Sequence, residues 1–281
     1  MKADPRFLKL PKSFWAYVRL IGQQCGYTQR GTGRLLVPEK EHVQSKFEEL
    51  GLGAESLDAV LPNGANIWDM LTNYFVYRAE IAIDHIKPSL MNADEARVEF
   101  DRLKRELRPS CPLPMNKQKG KKRAPAYLTC IVNMIVEDAV NKAECDYDPR
   151  ALTTITNNGL PIRTFARRLD GAFPSVVNPV AVWEIKEYYY TTTFGSRVAG
   201  GVYETLLDGM EIEELTESEN IEVLHYLMVD AYYTWWECGK SYLCRIVDML
   251  HMGYADEVLF GREVISRLPE LATEWSKGLP N

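Results

Sequence analysis

The chain has 281 residues, 46% of them hydrophobic and 26% charged, a composition that excludes a disordered or fibrous protein and admits one large domain or two modest ones. No window approaches the ~18–20 continuous apolar residues of a membrane span, and the opening "MKADPRFLKLPKSFW" carries charges and prolines where a secretory leader carries an unbroken apolar stretch. The net charge of −6 is unevenly spread, and a polyanion is met by a local patch rather than by the mean, so a nucleic-acid partner stays open.

The six cysteines show neither CxxC pairing nor zinc-ligand spacing with the four histidines. Free thiols in a reducing cytoplasm are therefore expected. Residues 101–125 hold nine Lys/Arg against two acids, whereas residues 208–222 hold seven acids and no base.

In chain order, "SFWAYVRLIGQQCGY" places Phe14, Tyr17, Val18, Ile21 and Cys25 at helical spacing, with Ser13 as a candidate N-cap. "VPEKEHVQSKFEELGLG" opens with proline and closes on glycine, the boundary signals of a helix. "NIWDMLTNYFVYRAEIAIDHIKPS" predicts a longer aromatic-rich helix stopped by Pro88. "NADEARVEFDRLKRELRPS" has an Asn cap, acids in its first turn and basic residues in its last. The Pro- and Lys-rich stretch that follows has linker composition, which gives a helical N-terminal region at 1–110, a basic linker at 111–125 and a second domain at 126–281.

Beyond Pro125, "AYLTCIVNMIVEDAVNKAECD" predicts an apolar helix with Glu137 late in it. The next stretch is rich in Thr, Ile, Val and aromatic residues and is punctuated by NG and NP, which predicts two or three strands with tight connections. A helix, a strand-like run "IEVLHYLMVDAYYTWW", another helix and a short final strand or helix complete an α/β unit around a central sheet. The aromatic clusters near 188–190 and 232–236 read as core, and the acidic run at 208–222 as a solvated helix face and loop.

The chemistry concentrates in "LDGAFPSVVNPVAVWEIKEYYY". Alternation on a strand points Val182, Glu184 and Lys186 to one face and Trp183, Ile185 and Glu187 to the other, with Glu184 and Lys186 about 7 Å apart along the strand. A turn at "FPSVVNPV" would pair this strand with the segment after Asp170 and bring Asp170 beside Glu184. Two carboxylates on a strand form an oxygen-rich site for a hard cation such as Mg²⁺. A neighbouring lysine can hold or deprotonate a water, or stabilise charge developing on a phosphate. On an exposed face the same Glu-x-Lys would be an ordinary solvated pair, but the flanking residues read as buried, and an unpaired buried charge is costly.

Asp170 followed by Glu184-Ile185-Lys186 at the end of an apolar strand resembles the PD-(D/E)xK nuclease motif. The order of helix, acid-bearing hairpin, ExK strand, helix and strand resembles the core of that superfamily. Within it, the chain looks most like a bacterial type II restriction endonuclease. The resemblance implies a restriction-endonuclease-like fold, in which a central mixed sheet is flanked by helices and joined to the helical N-terminal region. It implies Mg²⁺ held by Asp170, Glu184 and the Ile185 carbonyl, with Lys186 orienting or activating the attacking water. The activity implied is site-specific cleavage of double-stranded DNA by a cytoplasmic homodimer. Leu169 stands where the family has its proline. Glu137 is a candidate additional acid, or a plain helix acid. Lys117, Lys119, Lys121, Lys122 and Arg123 form a candidate phosphate-binding patch. Arg168 would face the scissile phosphate or neutralise Asp170, since strand alternation sets it opposite Arg163 and Arg167. Ser196 and Arg197 open the helix after the ExK strand, where an N-terminus accepts phosphate. A repair or phage-defence nuclease of the same superfamily and a non-catalytic DNA-binding protein are the alternatives.

Overall fold

The computed structural model describes residues 1–8, 10–61, 64–190 and 195–277, apart from the side chain of Arg197. The N-terminal region is helical, as its spacing predicts. Helices α1 (Pro5–Leu8), α2 (Lys12–Cys25), α3 (Lys40–Glu49) and α4 (Ile67–Ile81) enclose a core that includes Phe14, Val18, Ile21, Val43, Phe47, Leu71 and Phe75. Asn66 caps α4 by accepting from the backbone N–H groups of Trp68 and Asp69. Helix α2 starts one residue before Ser13 and has no side-chain cap. Beyond α4 the chain continues through a π turn at Ala82–Ile86 into α5 (Lys87–Ser89), so Pro88 lies inside the last helical turn.

Asn92 and Glu95 form a full capping box at the start of α6 (Ala93–Leu107). Residues 111–125 do not form an open spacer. They fold back on themselves through a Met115–Pro125 bridge and join α6 to α7 (Tyr127–Ala139). Both helices contribute to one core, with Phe100 and Leu103 from α6 beside Ile131 and Ile135 from α7.

Among the described residues the strands that follow are β1 (Asp146–Tyr147), β2 (Thr154–Asn157), β3 (Leu160–Thr164), β4 (Gly171–Phe173), β5 (Ala181–Glu187), β6 (Leu224–Asp230) and β7 (Glu257–Phe260). Strands β2 and β3 form a separate hairpin, whose turn residues Asn158 and Gly159 both have positive φ, 51° and 80°. This is the conformation that an Asn-Gly turn favours. The other five form one mixed sheet in the order β1-β4-β5-β6-β7, antiparallel from β1 to β5 and parallel from β5 to β7. The parallel crossovers are α8 (Ser196–Glu219) and α9 (Lys240–His251), and α10 (Arg262–Lys277) follows β7. The protein is thus an α/β protein with a mixed five-stranded sheet between helical layers and a helical N-terminal region.

The alternation of β6 shows how the layers are built. Tyr226 and Met228 join the core under α7 and α10, while Leu227 and Val229 join the core under α8 and α9. The apolar run beyond Asp230 is not strand but a π turn at Tyr233–Cys238. The strand ends because the buried Asp230 carboxylate accepts from the N–H groups of Met91 and Ala231 and from the Tyr189 hydroxyl, turning the chain away from the ladder. Among the described residues no helix is long and apolar enough to cross a membrane.

The N-terminal helices are tied to the sheet layer by a buried ion pair. Arg78 on α4 donates to Asp248 on α9 at 2.9 Å, and the Tyr74 hydroxyl donates to the same carboxylate at 2.6 Å. Removing one member leaves the other charge buried and unmatched. Arg78→Met should lower unfolding stability by about 3–5 kcal/mol, read from urea midpoints. A loss below about 1 kcal/mol would show that the contact behaves as an exposed pair.

Candidate functional site

The site is made where β4 and β5 part company. The ladder pairs Gly171 with Trp183, and the Asp170 N–H donates to the Trp183 carbonyl at 3.1 Å. The chain before Asp170 then diverges, and the Asp170 carboxylate takes over the next rung, accepting from the Ile185 N–H at 2.8 Å. In an extended strand the carbonyl of a residue points to the same edge as its N–H, so the Ile185 carbonyl also faces the gap beside Asp170.

Glu184 and Lys186 point to the opposite face from Trp183 and Ile185, towards α8. Both are buried, at 0% and 7% exposure. The Lys186 ammonium donates to Glu184 Oε2 at 2.7 Å and to Glu204 Oε2 at 3.1 Å. The helix allows this approach because residue 201 is glycine: a Cβ there would lie 2.9 Å from the Tyr188 hydroxyl and 3.1 Å from Lys186 Cδ. Glu184 Oε1 accepts from Arg167 at 2.7 Å, and the same guanidinium nitrogen donates to Asp208 Oδ2 at 2.6 Å.

These contacts set the protonation of the cluster. Burial pushes the Asp170 carboxyl up to about 7, with the nearby charge of Glu184 adding to it. Asp208 is likewise raised by burial to about 7, against the pull of Arg167. Burial acts on Glu184 too, but Lys186 and Arg167 more than offset it and hold that carboxyl below its usual range. Burial opposes the charge on Lys186, yet Glu184 holds its ammonium well above the usual range, so it is a donor at neutral pH. Glu187, on the other face, caps α7 by accepting from the Leu128 N–H at 2.7 Å and is raised by burial to about 8.

A cleft of about 680 Å³ opens on this cluster, lined by Asp170, Glu187, Glu204, Lys117, Arg150 and Ser196 among others. Of the residues singled out from the sequence, Asp170, Glu184 and Lys186 come together, and of these Asp170 lines the cleft along with Lys117 and Ser196, while Glu184 and Lys186 are buried behind it. Lys119, Lys121, Lys122 and Arg123 are exposed around a short 3-10 turn at Gly120–Lys122. Glu137 is not part of the cluster: it is buried late in α7, where it accepts from the backbone N–H and hydroxyl of Ser110. Arg168 is exposed, and it is Arg167 that enters the acid cluster. Residues 165–170 are irregular rather than strand, so alternation does not govern them. The side chain of Arg197 lies outside the described residues.

Arg167, Glu204 and Asp208 carry no signal in the ExK motif. The acidic stretch of α8, expected as a solvated face, grips the segment before Asp170. Asp208 pairs with Arg167, Glu211 accepts from the Ala166 N–H at 3.1 Å, and Glu214 pairs with Arg163 at 2.9 Å. The spacing of Glu204, Asp208 and Glu211 on one helix face is the pattern that could have marked them.

Among the described residues, no group of three or more His, Cys, Asp or Glu side chains has a geometry that could hold a metal. Magnesium is commonly bound through only one or two carboxylates and keeps several waters. Asp170 and Glu184, with the Ile185 carbonyl on the same edge, are a donor set of that kind.

An α/β core with an acid pair beside a buried lysine thus defines the class of site. Residues 91–275 match the family described as Domain of unknown function (DUF7687), and the chain belongs to that family. Residues 1–85 match a second one, described as Domain of unknown function (DUF7690). No curated protein and no solved structure matches the chain.

Because the folded Asp170 carboxyl is raised above its unfolded value, the folded state binds the extra proton between pH about 4 and 7, and the carboxylate destabilises it as pH rises through that window. Asp170→Asn in metal-free buffer should therefore gain stability relative to wild type from pH 4 to 7, by more than about 1 kcal/mol at the upper end. A difference that stays flat with pH would refute the raised carboxyl.

Proposed function

We propose that the protein is a Mg²⁺-dependent endonuclease that hydrolyses phosphodiester bonds in double-stranded DNA, in the manner of a type II restriction enzyme with a PD-(D/E)xK core. One observation carries the reading: the Asp170 carboxylate, which lines a cleft together with Lys117, lies beside the buried carboxylate of Glu184, which is paired with the Lys186 ammonium just beneath that cleft. An acid at an open ladder edge with a second acid beside it suits a hard cation, and cationic side chains at the rim suit a phosphate backbone.

In this reading Asp170, Glu184 and the Ile185 carbonyl hold the magnesium. When bound, it supplies Lewis-acid polarisation of a phosphoryl oxygen and a more acidic water. Lys186, kept protonated by Glu184, donates a hydrogen bond that orients the attacking water and stabilises charge developing on the phosphate. It does not act as a base. The loop carrying Lys119, Lys121, Lys122 and Arg123 holds the duplex by its phosphates, and the exposed hydroxyl of Ser196, at the start of α8, is placed for a further phosphate contact. A homodimer would present two such sites to a palindrome by two-fold symmetry.

The test is incubation of the purified chain with unmethylated plasmid or phage DNA in Mg²⁺ and in EDTA, alongside Lys186→Ala. Mg²⁺-dependent cleavage that drops at least about a hundredfold in the variant is expected. Discrete fragments would establish a site-specific enzyme, and a smear would keep the nuclease without the restriction site. DNA that is retained but intact under all conditions would leave a binding protein and remove the catalytic reading. Separately, changing Lys119, Lys121 and Lys122 to Gln should weaken DNA binding and reduce the slope of log affinity against log salt by about 0.9 per lost phosphate contact. An unchanged slope in an anisotropy titration would assign the loop no role in binding.

A further inference from the structure

The acid cluster holds more carboxyl groups than cationic side chains. Asp170, Glu184, Glu204 and Asp208 stand against Arg167 and Lys186. Within it, Arg167 is shared: one guanidinium nitrogen donates both to Glu184 Oε1 on the ExK strand and to Asp208 Oδ2 on α8. Asp208 is fully buried, and its second oxygen, Oδ1, has no hydrogen-bond partner. A buried carboxylate oxygen left over is costly, and an arginine fork can satisfy both oxygens of one carboxylate. The pairing of Arg167 with Asp208 is thus only half made, while the guanidinium also sits on a carboxylate oxygen to which a metal would bind. Arg167 is carried by an irregular segment whose backbone α8 holds at the neighbouring Ala166, and its second guanidinium nitrogen lies 3.7 Å from Glu204 at the cleft.

We propose that Arg167 is an exchangeable counter-ion of the site. It occupies Glu184 while no divalent cation is bound. When a cation takes that carboxylate, Arg167 shifts wholly to Asp208, satisfies Oδ1 and turns its remaining donors to the cleft, where a DNA phosphate is held. This rests on the metal-nuclease reading and adds to it a positioning residue, Arg167, and the acid that receives it, Asp208. The exchange couples the two ligands: metal frees the arginine for phosphate, and by linkage phosphate on the arginine favours metal.

The experiment is Mn²⁺ binding to the full chain, with free Mn²⁺ counted by electron paramagnetic resonance, in wild type, Arg167→Gln, Asp208→Asn, the double variant and Asp170→Asn. Arg167→Gln should bind Mn²⁺ at least about fivefold more tightly, the low end of ordinary coupling between two ligands, while DNA retention in Ca²⁺ weakens. Asp208→Asn should bind Mn²⁺ more weakly, because Arg167 then has Glu184 as its main partner. The double variant should recover tight binding, which keeps the test open should Arg167→Gln alone misfold around an unpaired Asp208. If wild type binds Mn²⁺ through Asp170 but neither the single nor the double arginine variant binds it more tightly, Arg167 is a structural tether and the inference is overturned alone. If no protein takes up Mn²⁺, the metal reading falls and the exchange falls with it.

Discussion

The core of this protein is arranged around two opposite charges, Glu184 and Lys186, on a central strand that is otherwise sealed. Strand β5 is paired with β6 along its whole length and with β4 up to Trp183, and both Glu184 and Lys186 are buried against the helix that covers them. Desolvating such a pair costs several kcal/mol for each ion unless geometry and further hydrogen bonds compensate. The compensation comes from α8. Gly201 clears the path for the lysine, Glu204 receives its second hydrogen bond, and Asp208 holds the arginine that satisfies the far oxygen of Glu184. An apolar helix in that position would strand the charges. The acidity of α8 is therefore part of the packing of β5, although in the sequence the two elements are separate.

The second constraint is the ladder break at Asp170. A residue that stayed in register with Ile185 would engage its N–H and carbonyl in backbone bonds and close the edge. Here a short side chain supplies the acceptor, and the backbone leaves. The exchange keeps the Ile185 N–H satisfied, as a buried donor requires, while it exposes a carbonyl and a carboxylate to the same gap. Trp183, one rung earlier, fixes the position by stacking on Trp275 with ring centroids 5.4 Å apart. A steeper divergence would unpair Trp183, and a later one would bury Asp170 against Glu184 without an opening to the cleft.

Much of this was legible from local pattern. The helices of the first hundred residues follow from 3–4 spacing and caps, the β4–β5 hairpin from its turn residues, and the facing of Glu184 and Lys186 from alternation. What local pattern could not carry is the company those charges keep. Arg167 and Arg168 are adjacent and chemically equivalent in the sequence, and only the irregular backbone of residues 165–170 decides which of them turns inward. Asp208 sits in a run of acids whose composition looks solvated, and its burial depends on the packing of α8 against β5. Glu137 shows the converse: an acid on a buried helix suggests chemistry, but its partners are the backbone and hydroxyl at Ser110, brought close when the loop 108–125 folds back along α7.

That loop also changes how the two halves of the chain relate. Composition sets a boundary at residues 111–125, whereas the two family matches leave only residues 86–90 between them. The packing agrees with the latter position, since α6 shares its core with α7 and the sheet. The helical region before it grips the opposite layer instead, through Arg78 and Asp248 on α9 and through Lys12 and Glu213 on α8, 3.2 Å apart. Helix α8 is consequently held from two sides: its acids face the charged strand and the segment before Asp170, and its outer surface meets α2 across a cavity of about 230 Å³.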